Sequence, residues 1–221
     1  NDAISMVNTA EGALDEITNM LQRMRELAVQ SGTGTADSAD RTYLNTEFAA
    51  LRTEIDRIVD NTQWNGRNIL DGSAGASTGK STVAFQIGQD GVKTQTLSTT
   101  FGNFTNDKGK LSGLASKIIT GGTVASAINY ASSTITEIDV VIGDVSSQRA
   151  TFGAVSNRLT HAVDNLTNVK TNSEAARSRI LDTDYAAATS ELSRTQIIQQ
   201  AATAMLAQAN ALPQTVLALL Q

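Results

Sequence analysis

The sequence predicts a mainly α protein: an elongated antiparallel helical bundle or coiled coil, with a small β-hairpin region and a projecting C-terminal helix. Three observations predict it. Apolar residues recur at alternating spacings of three and four over most of the chain, the stripe of a packed helix. Proline occurs once, at Pro213, and aromatic residues make up only 4%, which suits long uninterrupted helices better than a loop-rich enzyme. Gly, Ser, Thr and Asn crowd into one stretch, residues 73–122, where the three-four rhythm stops.

The first helix is expected over residues 3–30. Ala3, Met6, Ala10, Ala13, Ile17, Met20, Met24 and Leu27 form one stripe, and Ile4, Val7, Leu14, Leu21 and Ala28 a second beside it. Two adjacent stripes make a face wide enough for a bundle rather than a two-stranded seam. Ser31-Gly32-Thr33-Gly34 stops the helix. A second helix follows over 38–61, with Leu44, Phe48, Leu51, Ile55 and Ile58 on its seam. The short Gly-rich link between them implies an antiparallel pair.

Trp64-Asn65-Gly66 then signals a tight turn. In the middle stretch Val83, Phe85 and Ile87 alternate with small or polar residues. Gln89-Asp90-Gly91 follows, with Thr94, Thr96 and Ser98 on the far side, so a β-hairpin is predicted here. A short helix is expected near 111–119. The third long helix spans about 124–178, its seam drawn through Ile128, Ala131, Ile135, Ile138, Ile142, Val145, Phe152, Leu159, Val163 and Leu166. Such a helix needs company along its side, and the first two supply it. Asp182-Thr183-Asp184 marks a break and a cap. The terminal helix carries Ile198, Ala202, Met205, Ala209, Leu212, Val216 and Leu219 on one stripe. The expected domains are 1–72 and 123–180 for the bundle, 73–122 for the middle region and 181–221 for the terminal helix.

Composition narrows the chemistry. The net charge is −5 and the basic residues are dispersed, so no stripe exists to neutralise a phosphate backbone, and nucleic acid is not an expected partner. No apolar run reaches the ~18 residues a membrane span needs, so no membrane insertion is expected. Cys is absent, which removes disulfides, thiolates and the commonest zinc sites. His161 is the single histidine and reads as a helix surface or packing residue, not a base. Asp182 and Asp184 are explained by capping. Gly88, Gly91 and Gly102 form no phosphate cradle, because no Lys-Ser/Thr pair opens a helix after them. No enzyme activity and no cofactor are expected. The charges that stand out are Arg23, Arg25, Glu26 and Glu47, which alone would read as solvated helix-face pairs.

Several blocks together resemble the bacterial flagellins. They are Asp2-Ala3-Ile4-Ser5, the run from Leu21 through Arg23, Glu26 and Leu27 to Gln30, Glu54-Ile55-Asp56-Arg57-Ile58, and Trp64-Asn65-Gly66-Arg67-Asn68-Ile69-Leu70-Asp71-Gly72. On the C-terminal side stand Gly153-Ala154-Val155-Ser156-Asn157-Arg158-Leu159, Ser178-Arg179-Ile180 and Gln208-Ala209-Asn210-Ala211-Leu212-Pro213-Gln214. Each block is weak alone; in this order, on predicted helices, they are specific. Flagellins usually carry Phe at the place of Trp64 and an acidic residue near Ala188, and many have large outer domains that this short middle lacks.

The resemblance implies a structural subunit of the flagellar filament, outside the cell, exported by the flagellar type III apparatus without a cleaved signal. It also implies a family segment ahead of Asn1 that is absent here, and that a chain without it does not form native filaments alone. In flagellins the positions of Arg23, Leu27, Gln30 and Glu47 face neighbouring subunits, and the vertebrate flagellin-sensing Toll-like receptor grips the matching surface. The terminal stripe, by the same resemblance, pairs with another helix in the filament core or with the export chaperone. Filament cap and junction proteins are further implied partners. Ser/Thr-rich stretches at 73–82 and 98–105 carry O-glycans in some flagellins and otherwise read as loops. Two alternatives remain: a hook–filament junction protein, which usually ends differently, and a flagellin-like adhesin, for which Phe101 and Phe104 are the only candidate aromatics.

Overall fold

The computed structural model describes residues 1–75, 81–88, 95–105, 109–121 and 123–219, with side chains described as far as residue 210. Among the described residues, four α-helices and four short strands follow one another: α1 (Asp2–Ser31), α2 (Ser38–Asn61), β1 (Gln63–Trp64), β2 (Arg67–Asn68), β3 (Thr82–Gln86), β4 (Thr96–Thr100), α3 (Val124–Leu181) and α4 (Tyr185–Leu219). The chain divides into two units, Asn1–Asn165 and Leu166–Gln221.

In the first unit α1 is the centre. Val7, Ala10, Leu14, Ile17, Leu21, Met24, Ala28 and Ser31 are buried at alternating spacings of three and four, so both predicted stripes contribute to one seam. α2 lies antiparallel to it, because Arg23 reaches Glu47 while Ser31, further along α1, meets Arg41, earlier on α2. A reciprocal capping box starts α2: the Asp40 amide donates to Asp37 Oδ1 at 2.8 Å, and the Asp37 amide to Asp40 Oδ2 at 3.3 Å. α3 is antiparallel to α1 as well, as Arg25–Asp139 and Asp15–Arg149 pair in reversed order along the two helices.

The α3 seam differs from the one expected. It runs Ala127, Ala131, Thr134, Ile138, Val141, Val145, Gln148, Phe152, Val155, Leu159. That is an unbroken heptad rhythm, but two of its positions are polar, and a search for apolar residues drifts onto the neighbouring stripe. Ile128 is accordingly exposed, while Ile135 and Ile142 are half-buried at the seam's edge. Val163 and Leu166 are exposed too, so the buried seam ends at Leu159.

Polar ties close the tip of the α1–α2 pair. Arg41, only 3% exposed, donates from Nε to the Ser31 carbonyl at 3.1 Å and from Nη2 to the Thr33 carbonyl at 3.3 Å. It supplies donors and a positive charge where α1 leaves its last carbonyls unpaired. The Ser31 hydroxyl donates to the Ile119 carbonyl, and the Ile119 amide donates to Asn45 Oδ1 at 3.1 Å.

Asn65 and Gly66, with φ of 52° and 74°, form the two-residue turn between β1 and β2, as the Asn-Gly signal predicts. β3 and β4 are antiparallel, with Val83 opposite Thr99 and Phe85 opposite Leu97 on the inward face. The hairpin prediction therefore holds for the strands; the expected turn at 89–91, and Thr94, lie outside the described residues. The expected helix near 111–119 is only a single 3₁₀ turn, Ser112–Leu114. The sheet is tied to α3, where Gln148 Nε2 donates to the Thr100 carbonyl at 2.8 Å and the Phe101 and Phe152 rings stand 5.1 Å apart.

The second unit is described separately. Every described side chain over 166–210 is exposed. At the predicted break, α3 ends at Leu181, and Asp184 Oδ1 accepts from the amides of Ala186 and Ala187 at 2.9 and 3.2 Å, capping α4. α4 continues through Pro213, which has no N–H to offer the carbonyl one turn back.

Candidate interaction surface

Arg23 lies between the buried positions Leu21 and Met24, at the edge of the α1 seam, and so borders α2. Its Nε donates to Glu47 Oε1 at 2.8 Å, and its Nη1 donates to Glu26 Oε2 at 3.0 Å. Two carboxylates, one from each helix, thus fix an exposed guanidinium. The hydrogen bond to Glu47, followed by that to Glu26, holds Arg23 even further above its ordinary pKa. A planar fork pinned by two acceptors has a fixed direction that a lysine would not keep.

Arg23, Glu26 and Gln30 follow one another at helical spacing on one face of α1. Gln30 is exposed and borders two shallow hollows, one with Arg25, Glu26 and Val29, the other with Thr33, Asp40, Tyr43 and Leu44. Tyr43 stands four residues before Glu47 on α2 and is 73% exposed. The strip therefore holds Arg23, Gln30 and Glu47, together with Tyr43 and Val29, which the periodicity and the family blocks do not single out. The available signal is position: Tyr43 stands one turn before Glu47, and Val29 directly precedes Gln30. Leu27 is a correction. It is 1% exposed, at a seam position of α1, so it supports the strip from beneath and offers it no side-chain surface. Arg25 faces another way, pairing with Asp139 on α3 at 2.8 Å, a hydrogen bond that raises its pKa.

On α4, Ile198, Ala202, Met205 and Ala209 share one face and are all exposed, Ile198 at 55% and Met205 at 71%. Exposed Ile197 and Leu206 widen the stripe. Leu212, Val216 and Leu219 belong to the same helix, and their side chains lie outside the described residues.

Among the described residues no group of three or more His, Cys, Asp or Glu side chains is placed to hold a metal, and no helix is long and apolar enough to cross a membrane. Phe101 and Phe104, the aromatics that an adhesin groove would need, are fully buried. Phe101 packs on Phe152, and Phe104 lies 5.5 Å beneath Lys110 Nζ. They are core residues, and the adhesin alternative loses its only support.

Residues 1–75 match the bacterial flagellin N-terminal helical region, and residues 135–220 the bacterial flagellin C-terminal helical region. The protein is 44% identical over its whole length to a flagellin of Halalkalibacterium halodurans, covering 75% of that protein. This chain belongs to the bacterial flagellin family. A Bacillus subtilis flagellin is 40% identical over the full length, with 78% of that protein covered. Among solved structures, a Bacillus cereus flagellin matches with a TM-score of 0.59 and 30% identity, over 79% of this chain and 92% of that one. As a flagellin, the protein is a structural subunit of the flagellar filament, outside the cell, and polymerises with other flagellin subunits.

Proposed function

We propose that this flagellin assembles through two distinct surfaces: the pinned charge strip of α1 and α2, and the bare apolar stripe of α4. The observation that carries the reading is the contrast in burial along helices with the same apolar rhythm. The α1 seam is sealed by its own chain, whereas Ile198, Ala202, Met205 and Ala209 are exposed. Exposed apolar stripes at helical spacing bind other helices. In the filament the partner is a helix of the flagellin assembly, and before export it is the flagellar chaperone. Cap and junction proteins meet the same packing surfaces at the filament ends.

The strip of Arg23, Gln30 and Glu47 serves subunit packing and is also the face offered to the vertebrate flagellin-sensing Toll-like receptor, with Leu27 holding the helix beneath it. Arg23 is central because its guanidinium is already oriented, so little freedom is lost when a partner accepts its remaining N–H groups. Arg23→Ala is expected to weaken receptor binding by about tenfold or more, as for a central interface arginine. The helical circular dichroism should not change. Titration of the purified variant against receptor ectodomain checks this; unaltered binding would remove the strip from the receptor footprint.

A further inference from the structure

We infer that Asn65 is a site of spontaneous deamidation, and that the folded β1–β2 turn holds it in a conformation that slows the reaction. Asn65 and Gly66 are the two loop residues between the paired Trp64 and Arg67. Asn65 is the only described residue other than glycine with positive φ. It is exposed, and no described residue forms a hydrogen bond to its side chain. A Cβ placed on Gly66 would meet nothing within 4 Å, so the space on that side of the residue whose amide must act as nucleophile is open. Asp71-Gly72 has related chemistry and the opposite environment. There, Asp71 Oδ1 accepts from the Ser73 amide at 2.8 Å and the Ser73 hydroxyl at 2.6 Å, and the space beside Gly72 is filled by Asn103.

In the reaction, the Gly66 backbone nitrogen loses its proton to solvent base and attacks Asn65 Cγ. The new N–C bond closes a five-membered imide as the Cγ–Nδ2 bond of the carboxamide breaks, and the departing amine takes a proton and leaves as ammonia. Water then opens either imide carbonyl, giving an aspartyl or an isoaspartyl residue. The net change is hydrolysis of one amide, with no oxidant or reductant. Glycine favours ring closure because no Cβ crowds the nitrogen.

The fold supplies the gate. A left-handed residue with φ near 52° has ψ of about +30 to +60°, which turns the Gly66 nitrogen away from the line of attack on Cγ. Ring closure must therefore wait until the turn opens. The strands are two residues each, but the hairpin is tied at its open end. The Ile69 amide donates to the Thr62 carbonyl at 3.2 Å, and Ile69 is fully buried. Once formed, an isoaspartyl residue adds a backbone methylene to a two-residue loop and places a carboxylate beside Arg67. The Trp64–Arg67 register would not survive that change intact.

Peptide mass spectrometry tests this on the purified protein, incubated at mildly alkaline pH with and without concentrated urea. In urea, Asn65 is expected to convert ahead of every other asparagine, with isoaspartyl product detected by enzymatic methylation. Without urea, conversion should be slower by about tenfold or more, since it needs a local opening. Ile69→Ala, which loosens the hairpin, should bring the native rate toward the rate in urea, and Gly66→Ala should slow the reaction in urea. If another asparagine converts first in urea, the site assignment fails; if Asn65 converts equally fast in both conditions, the turn does not gate it.

Discussion

Two regions of this flagellin carry the same apolar rhythm and put it to different ends. In α1 and the first half of α3, residues spaced by three and four are sealed within one molecule, from Val7 to Ser31 and from Ala127 to Leu159. In α4 the stripe from Ile198 to Ala209 has the same spacing and stays exposed. Periodicity therefore encodes a face that must be covered, but not who covers it. The sealed region stabilises the subunit; the bare one leaves its described side chains exposed, as the proposed assembly role requires.

The largest expected effect separates the two regions most sharply. Leu21→Ala, at a fully buried seam position, should cost about 2–5 kcal/mol through lost burial and the cavity left behind. Met205→Ala, on the bare stripe, should change the stability of the free subunit by no more than about 0.5 kcal/mol. Urea unfolding followed by the fluorescence of Trp64, the sole tryptophan, measures both. Equal costs would mean that the two stripes are covered alike.

A smaller effect probes the polar seam positions. Gln148→Leu keeps bulk but removes the donor to the Thr100 carbonyl, leaving a part-buried acceptor unpaired. The expected loss is about 1–3 kcal/mol, against the gain that a leucine in a hydrophobic seam would suggest. A stabilised variant would show that the seam tolerates Gln148 rather than needs it. The smallest effect belongs to the interhelical ion pairs. Arg149→Ala breaks a 3.0 Å pair with Asp15 and should cost about 0.2–1 kcal/mol, less at high salt. A larger, salt-independent loss would mean that the pair sets the α1–α3 alignment.

These same positions mark how much is legible in the sequence. The limits of α2 can be read directly, because Ser31-Gly32-Thr33-Gly34 before it and Trp64-Asn65-Gly66 after it are strong local signals. The β3–β4 strands follow from alternation alone. The α3 seam is misplaced by sequence reasoning because Thr134 and Gln148 occupy heptad positions, and polar side chains there are invisible to a search for apolar period. Their partners, the Ile118 and Thr100 carbonyls, come from distant segments. Arg41 escapes for a related reason: it caps a helix end ten residues away in sequence, and nothing nearby announces its burial. At the candidate surface, Arg23 and Glu47 stand out through the family resemblance, and the geometry adds what sequence cannot hold, that they touch. Leu27 is placed on the surface by that resemblance, although its own spacing puts it on the seam.

The contrast between the sealed and the bare stripe is tested most directly by amide hydrogen exchange across the free subunit. The amides of α1 around Leu14 to Met24 should exchange only through global unfolding, while those of α4 around Ile198 to Ala209 should exchange orders of magnitude faster, through local fraying of a helix with nothing packed on it. Equal protection in both helices would mean that the α4 stripe is already covered, and would contradict its assignment as a surface kept for other subunits.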